Sequence, residues 1–371
     1  MISLKHIKTH FKKVDVVLIT LVLVSTAFGI LLIASATKSS ETGRYIIVQS
    51  CAALLGIAAI YIFTKIDYED LSAFAWHIYI FYNALLLFTL LFGIGGDEKG
   101  TNGWFRFFGV GIQPAEIAKV GFIVTLAAHL DKIRDDLNSL RNIIMLLLHL
   151  ALPLALILFQ PDFGTAMVFI VIFCFMIFAA GVDRRYITSF GAAALLAAPI
   201  MYFFFFGDVQ KNRIKTFLFP GSDISNLDYH VIQMKIAIGS GGIFGSGLFK
   251  GPQTQLGYLP EKHNDSIFSV CGEELGLIGT ITVVLLLFGI ILRVFHISQN
   301  AKDNFGSLIC MGVVSYFFAH VFENIGMAVG IMPVTGIPLP FFSYGGSALL
   351  TNFAAIALAV NVFMKQRHAN F

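Results

Sequence analysis

Residues 14–36 read VDVVLITLVLVSTAFGILLIASA, a run in which Asp15, near its edge, is the one charged residue. Wound as an α-helix at about 1.5 Å per residue, such a run is about 34 Å long, enough to cross a hydrocarbon core of ~30 Å. It is too long for the apolar core of a cleaved signal peptide and more runs of its kind follow, so it reads as a retained span. Bounding apolar runs by charge or by Gly and Pro places nine more, near residues 45–65, 73–94, 115–131, 143–159, 165–182, 187–206, 267–292, 306–327 and 345–364. Composition agrees. Of 371 residues, 57% are hydrophobic and 13% charged, against about 45–50% and about 25% in soluble domains. Some ~211 apolar residues at ~20 per crossing give roughly ten spans. The expectation is an all-α polytopic membrane protein with ten transmembrane helices, forming one integral membrane domain over residues 1–371. A soluble globule, a disordered chain, collagen and a coiled coil are excluded.

Orientation follows from the cations in short loops. Lys5, Lys8, Lys12 and Lys13 precede the first span; Lys132, Arg134, Arg141, Arg184, Arg185, Arg293, Lys302, Lys365 and Arg367 fall on the same side. The other side has Lys38, Arg44, Lys99 and Arg106, so the positive-inside rule places both termini in the cytoplasm. With its Lys and Arg scattered in this way, the net charge of +3 makes no basic face for nucleic acid. Cys51, Cys174, Cys271 and Cys310 form no CxxC pair or regular framework and read as small core residues.

Between the seventh and eighth spans, residues 207–266 form an extracytoplasmic loop far longer than a typical connection of about 4–6 residues. Arg213, Lys215, Asp223, Asp228, His230, Lys235, Lys250, Glu261, Lys262, His263 and Asp265 concentrate charge there, between glycine-rich turns at 239–242 and 245–247. The pattern suits either a solvated cap or an active site, with short helices in the interface or dipping into the protein. In the smaller loop from Gly95 to Pro114, Trp104, Phe105, Phe107 and Phe108 surround Arg106, which reads as a headgroup-level anchor. Ionisable groups at membrane depth cost ~2.5–3.5 kcal/mol on insertion scales and face protein or water. Glu116 and Lys119, three residues apart at the start of the fourth span, share a helix face and are expected to pair. Glu273, Glu274, His320, Glu323 and Asn324 are further candidates, while His77, His129 and His149 read as solitary polar residues with local partners. HExxH, GxxxxGK[ST], GxSxG and dinucleotide fingerprints are absent.

Four segments together resemble the shape, elongation, division and sporulation (SEDS) family. They are QPAEIAK at 113–119, QPDFGT at 160–165, LPEKHNDSIF at 259–268 leading into GEELG at 272–276, and PVTGIPLPFFSYGGS at 333–347. The resemblance covers nearly the whole chain, and short tails at both ends bring it nearer the RodA-like elongation members than the division members. It implies a peptidoglycan glycosyltransferase that polymerises lipid II, the undecaprenyl-diphosphate-linked disaccharide pentapeptide, on the outer face of the bacterial cytoplasmic membrane. It also implies a class B penicillin-binding protein and the elongation machinery as partners. The family's essential aspartate falls on Asp265, within a motif that also holds Glu261 and His263. Its outer-loop tryptophan falls on Trp104, and its Glu and Lys on Glu116 and Lys119. This chain has Ser266 within Asp-Ser-Ile-Phe, Ser246 within Gly-Ser-Gly and Gly103 where relatives often carry other residues, two of them cations. The diphosphate contacts therefore pass to Arg106, Arg213, Lys215 and Lys250.

Polymerisation needs a base for the attacking hydroxyl, and a positioned carboxylate contributes typically about 10²–10⁴-fold. Asp265 is the expected base. Charge on the leaving diphosphate needs cations, or Mg²⁺ or Mn²⁺ on hard oxygen ligands, although no carboxylate cluster identifies a metal site. The alternative reading is a lipid II flippase without bond-making, which needs alternating access; no internal repeat or paired broken helices support it. A scaffold that only recruits other wall enzymes ranks third.

Overall fold

The computed structural model describes residues 14–38, 42–94, 103–107, 110–219 and 227–369. Every apolar run of the sequence is helical. The long helices are α1 (Val16–Ala36), α2 (Thr42–Phe63), α4 (Ala75–Phe92), α5 (Pro114–Lys132), α6 (Leu140–Phe159), α7 (Phe163–Ala180), α8 (Arg184–Ile200), α12 (Ile267–Gln299), α13 (Asn304–Val329) and α14 (Gly346–Ala369). Short α3 (Tyr68–Ala73) lies before α4, and α9 (Asp208–Leu218), α10 (Leu227–Ser240) and α11 (Pro252–Gln255) lie in the long loop. Eight helices are long and apolar enough to cross a membrane among the described residues. The two shortfalls against ten have plain causes. In α5, Glu116, Lys119, Asp131 and Lys132 crowd charge into nineteen residues, and α8 is seventeen residues long before a π-helical turn at Met201–Phe205 takes over.

The bundle has an inside and a lipid-facing outside. In α13 and α14, 72% and 78% of the apolar window is buried, against 22% in α4 and α6, so the former pair forms the core and the latter its rim. Close approach depends on small residues. A Cβ on Gly56 of α2 would stand 2.4 Å from the Phe353 ring of α14. At the end that carries both termini the helices are tied by charge: Arg293 to Asp15 at 2.6 Å and Lys365 to Asp67 at 2.5 Å. There the Asn361 amide also donates to the carbonyls of Phe63 and Ile66.

At the opposite end the long loop folds back onto α12. That helix is broken at Gly276 (φ 67°, ψ −158°), which frees backbone groups on both sides of the break. The loop takes them up. Ser246 and Gly247 N–H donate to the carbonyls of Glu273 and Glu274, while Leu277 and Ile278 N–H donate to those of Gly242 and Ile243. Only glycine fits such contact: a Cβ on Gly241 would lie 1.9 Å from the Gly272 carbonyl oxygen.

Three expectations change. The loop after α4 contains a two-stranded hairpin, β1 (Phe105–Phe107) with β2 (Val110–Ile112), rather than anchor residues alone. His129 and His149 are not solitary, since their Nδ1 atoms are 3.3 Å apart across α5 and α6. Cys271 and Cys310 are buried as expected, but Cys51 is exposed on the outside of α2.

Candidate active site

The segment 259–266 enters α12 through a tight turn. Glu261 adopts φ 44°, and the N–H groups of Asn264 and Ser266 both donate to its carbonyl. The Ser266 hydroxyl donates to the Pro260 carbonyl at 2.8 Å and meets His230 Nε2 of α10 at 2.9 Å. Asp265, half-buried, is thereby set at the mouth of the helix.

A second segment, 333–345, closes against the first. Tyr344 N–H donates to the His263 carbonyl at 2.8 Å. The Ser343 hydroxyl donates to the Asn264 carbonyl at 2.7 Å, and the Asn324 amide of α13 donates to the carbonyls of Asp265 (3.0 Å) and Ile337 (2.8 Å). Gly336, at φ 78°, faces the carboxylate: a Cβ there would sit 3.4 Å from Asp265 Oδ2. The His263 ring packs against Tyr45 and Tyr344, with centroids 4.8 and 5.7 Å away. Asp265 is thus held through its backbone on one side and faces a residue without a side chain on the other.

Polar side chains line the bundle beneath. Lys119 Nζ lies 2.8 Å from Glu116 Oε1 and 2.9 Å from His320 Nε2, confirming the expected i,i+3 pair and adding a histidine to it. Asp162 caps α7 by accepting from the backbone N–H and hydroxyl of Thr165, and it also accepts from the Gln113 amide at 2.9 Å. Glu323 is 3% exposed, and the Thr335 hydroxyl that faces it is its one nearby donor, with no close hydrogen bond formed to either carboxylate oxygen; Asn324 Oδ1 and Glu116 Oε2 are likewise buried and unmatched. Acceptors left in this state call for a donor from outside the protein, be it water or ligand.

Arg213 of α9 reaches the same region, its Nη1 3.5 Å from the Thr335 carbonyl. Burial lowers its pKa, while the charges of Asp162 and Asp265 act to raise it. Burial likewise lowers the pKa of His230 and of Lys262, whose ammonium donates to the Thr254 carbonyl.

The remaining sequence candidates disperse. Lys215 is exposed on the last turn of α9. Lys250 is exposed in the loop beside Phe249, whose N–H donates to Ser35 at the end of α1. Glu261 is exposed and accepts from the Asn264 amide at 3.0 Å. Trp104 pairs by its backbone with Ile94 and covers Gly111 of the hairpin. Arg106 lies on β1, but its side chain falls outside the described residues, as does Asp223. Glu273 and Glu274 prove to be fasteners: the first accepts from Gln253 N–H, Thr254 N–H and the Thr254 hydroxyl, the second from Ser35, Phe249 N–H, Gly251 N–H and Gln255. Sequence reasoning passed over Asp162 and Thr335 as site residues although both lie in quoted motifs; the Asp-x-x-Thr spacing marks a helix cap, and nothing local in it points to a site. For a metal, no group of three or more His, Cys, Asp or Glu side chains is placed to hold one among the described residues, which thus offer Mg²⁺ or Mn²⁺ no cluster of hard ligands.

Comparison with other proteins gives a consistent result. The FtsW/RodA/SpoVE family model, described as cell cycle protein, matches residues 15–368. The probable peptidoglycan glycosyltransferase FtsW of Geobacter metallireducens is 35% identical, covering 99% of this chain and 98% of its own. Peptidoglycan glycosyltransferase MrdB of Escherichia coli K12 is 38% identical over 77% of both. A chain of the solved structure "Structural coordination of polymerization and crosslinking by a peptidoglycan synthase complex" superposes with a TM-score of 0.80 at 26% identity, covering 95% of this chain and 98% of that one.

Proposed function

The chain belongs to the FtsW/RodA/SpoVE family of cell cycle proteins, and from that premise we propose that this multi-pass membrane protein is a peptidoglycan glycosyltransferase with Asp265 as its general base. Lipid II is the substrate, and the end of the bundle opposite both termini faces outward. A sugar hydroxyl of one lipid II attacks the anomeric carbon of another. A carbon–oxygen bond forms to the incoming hydroxyl, the bond to the diphosphate oxygen breaks with inversion, and the hydroxyl proton passes to Asp265. Undecaprenyl diphosphate leaves with the electron pair, and its charge is met by cations at the site.

One observation carries the reading: Asp265 is fixed at a helix mouth by Asn324 and faces open backbone at Gly336, with Arg213 close enough to feel its charge. A base must be positioned before it can act, and here the backbone of Asp265 is held by Asn324 while Gly336 leaves the approach to its carboxylate without a side chain. Glu116, Lys119 and His320 shape the floor below it. A class B penicillin-binding protein cross-linking the nascent strands is the partner that fits such a product.

Purified protein mixed with lipid II in detergent tests this directly. Wild type yields polymer, and because detergent offers no second compartment, polymer separates synthesis from transport. Asp265→Asn is expected to lower the rate by about 10²-fold or more without lowering thermal stability. Polymerisation by the Asp265→Asn variant at the wild-type rate removes Asp265 as base.

A further inference from the structure

Between α9, α10 and the turn at 330–334 lies a small cleft of about 60 Å³, open toward the surface. Its walls are mostly apolar, with Phe217, Val231, Ile232 and Val334 among them, while Arg213 and Lys235 supply two cations. Asp228, buried in the same wall, is already engaged in interactions of its own.

The Arg213 guanidinium is under-used where it stands. It carries five N–H donors, yet its Nε is buried with no partner, and its Nη1 contact to Thr335 is at the 3.5 Å limit of a hydrogen bond. Planar guanidinium forks match phosphate oxygens two at a time, and an ammonium adds a point charge to such a site. Lys235 lies across Gly330, where a Cβ would stand 2.3 Å from its Nζ, so a side chain at 330 would displace the ammonium. Outward from the cleft, Leu218, Phe219, Ile232 and Ile236 are exposed apolar residues on a charge-rich loop, a surface suited to hydrocarbon rather than water. Cations at one end and apolar walls at the other describe an amphiphile whose head is a phosphate.

We propose that this cleft seats the isoprenoid diphosphate of the lipid-linked sugar, with phosphate oxygens on Arg213 and Lys235 and the chain running out along Phe217, Val231 and Ile232. The assignment rests on the polymerase reading above and extends it. It gives Lys235, which lines the cleft and which sequence reasoning did not name among the phosphate contacts, a role that Lys215 and Lys250, which do not line it, do not fill. Because Arg213 also lies near Asp265, the diphosphate and the base flank the bond that breaks.

Binding measured apart from turnover tests it. The full-length protein in phosphatidylcholine nanodiscs is titrated with undecaprenyl diphosphate, with undecaprenol and with inorganic pyrophosphate. Wild type should bind the lipid diphosphate about tenfold or more tighter than the alcohol, as loss of charge-assisted hydrogen bonds predicts, with pyrophosphate a poor competitor. Lys235→Ala should weaken the lipid diphosphate about fivefold or more and leave undecaprenol unchanged; Arg213→Lys, which keeps the charge but loses the fork, should do likewise. Ile232→Trp, at an exposed position, should weaken both lipids by filling the chain's path.

Equal binding of diphosphate and alcohol, or unchanged binding in Lys235→Ala and Ile232→Trp, overturns the assignment, leaving Lys235 as a plain partner of the α13 helix end. Pyrophosphate competing on equal terms overturns it in favour of a free-phosphate site. These outcomes are distinct from failure of the polymerase reading. A protein that polymerises lipid II while all variants bind normally loses only the cleft, and one that shows the binding pattern without making polymer loses only the polymerase.

Discussion

Glu273 and Glu274 at one place and Glu323 at another are all acids buried in the same bundle, and they are treated in opposite ways. The first two accept seven hydrogen bonds between them, from Gln253, Thr254, Ser35, Phe249, Gly251 and Gln255. Glu323, equally hidden, has the Thr335 hydroxyl as its one nearby donor and no close hydrogen bond, and two unmatched acceptors, Asn324 Oδ1 and Glu116 Oε2, lie in the same part of the fold. A saturated carboxylate has no capacity left for a ligand and can only hold structure. An unsaturated one burdens the fold until something arrives to satisfy it. Burial and charge alone therefore do not mark a site in this protein; how completely a buried acid is hydrogen-bonded separates Glu323 from the two fasteners.

That contrast breaks if the two kinds of acid respond alike. The largest effect is expected at Glu273→Ala, which strands three donors, the two of Thr254 buried and that of Gln253 partly so, at ~1–3 kcal/mol for each buried one, and should lower stability by about 3 kcal/mol or more, read as melting temperature in detergent. Next comes Glu323→Gln. Here stability should hold within about 1 kcal/mol, because the amide keeps the shape of the carboxyl and breaks no set of hydrogen bonds like the one Glu273 accepts, while polymerisation falls by about tenfold; a large stability loss with full activity would erase the distinction. Ser35→Ala sharpens it from the other side. It removes one donor from Glu274 and one acceptor from Phe249 N–H, for about 1 kcal/mol of stability.

The smallest effect is a pH slope. Burial holds the His230 pKa below 6.5, with Arg213 adding to the lowering and Glu261 opposing it. The unfolded chain then binds the proton more readily than the folded one. His230's contribution is complete above pH 6.5 and declines as pH falls below it. Melting temperatures from pH 8 to pH 5 should fall more steeply for wild type than for His230→Gln, in which that one proton is missing.

Much of this was legible in the chain itself, because a bilayer imposes long apolar runs that local reading finds. The Glu116–Lys119 pair was legible for the same reason: its spacing is one helical turn. What escaped was decided by partners far along the chain. Nothing near Glu274 announces Ser35, 239 residues away, and nothing near Glu273 distinguishes it from Glu323. The break at Gly276 was hidden too, since its cause is the backbone of residues 242–245 pressing where a Cβ would be. Asp265 was located through its motif, whereas the neighbours that hold it, Asn324 and Gly336, come from other segments.

What the two glutamates grip is largely main chain: the amides of Phe249, Gly251, Gln253 and Thr254. An amide is the same whichever residue bears it, so the outward side chains of that stretch can be exchanged without unseating it. Leu256, 68% exposed at its end, is such a position. A fluorophore placed there by Leu256→Cys, after replacement of exposed Cys51, would ride with the opening turns of α12 and report their movements during turnover.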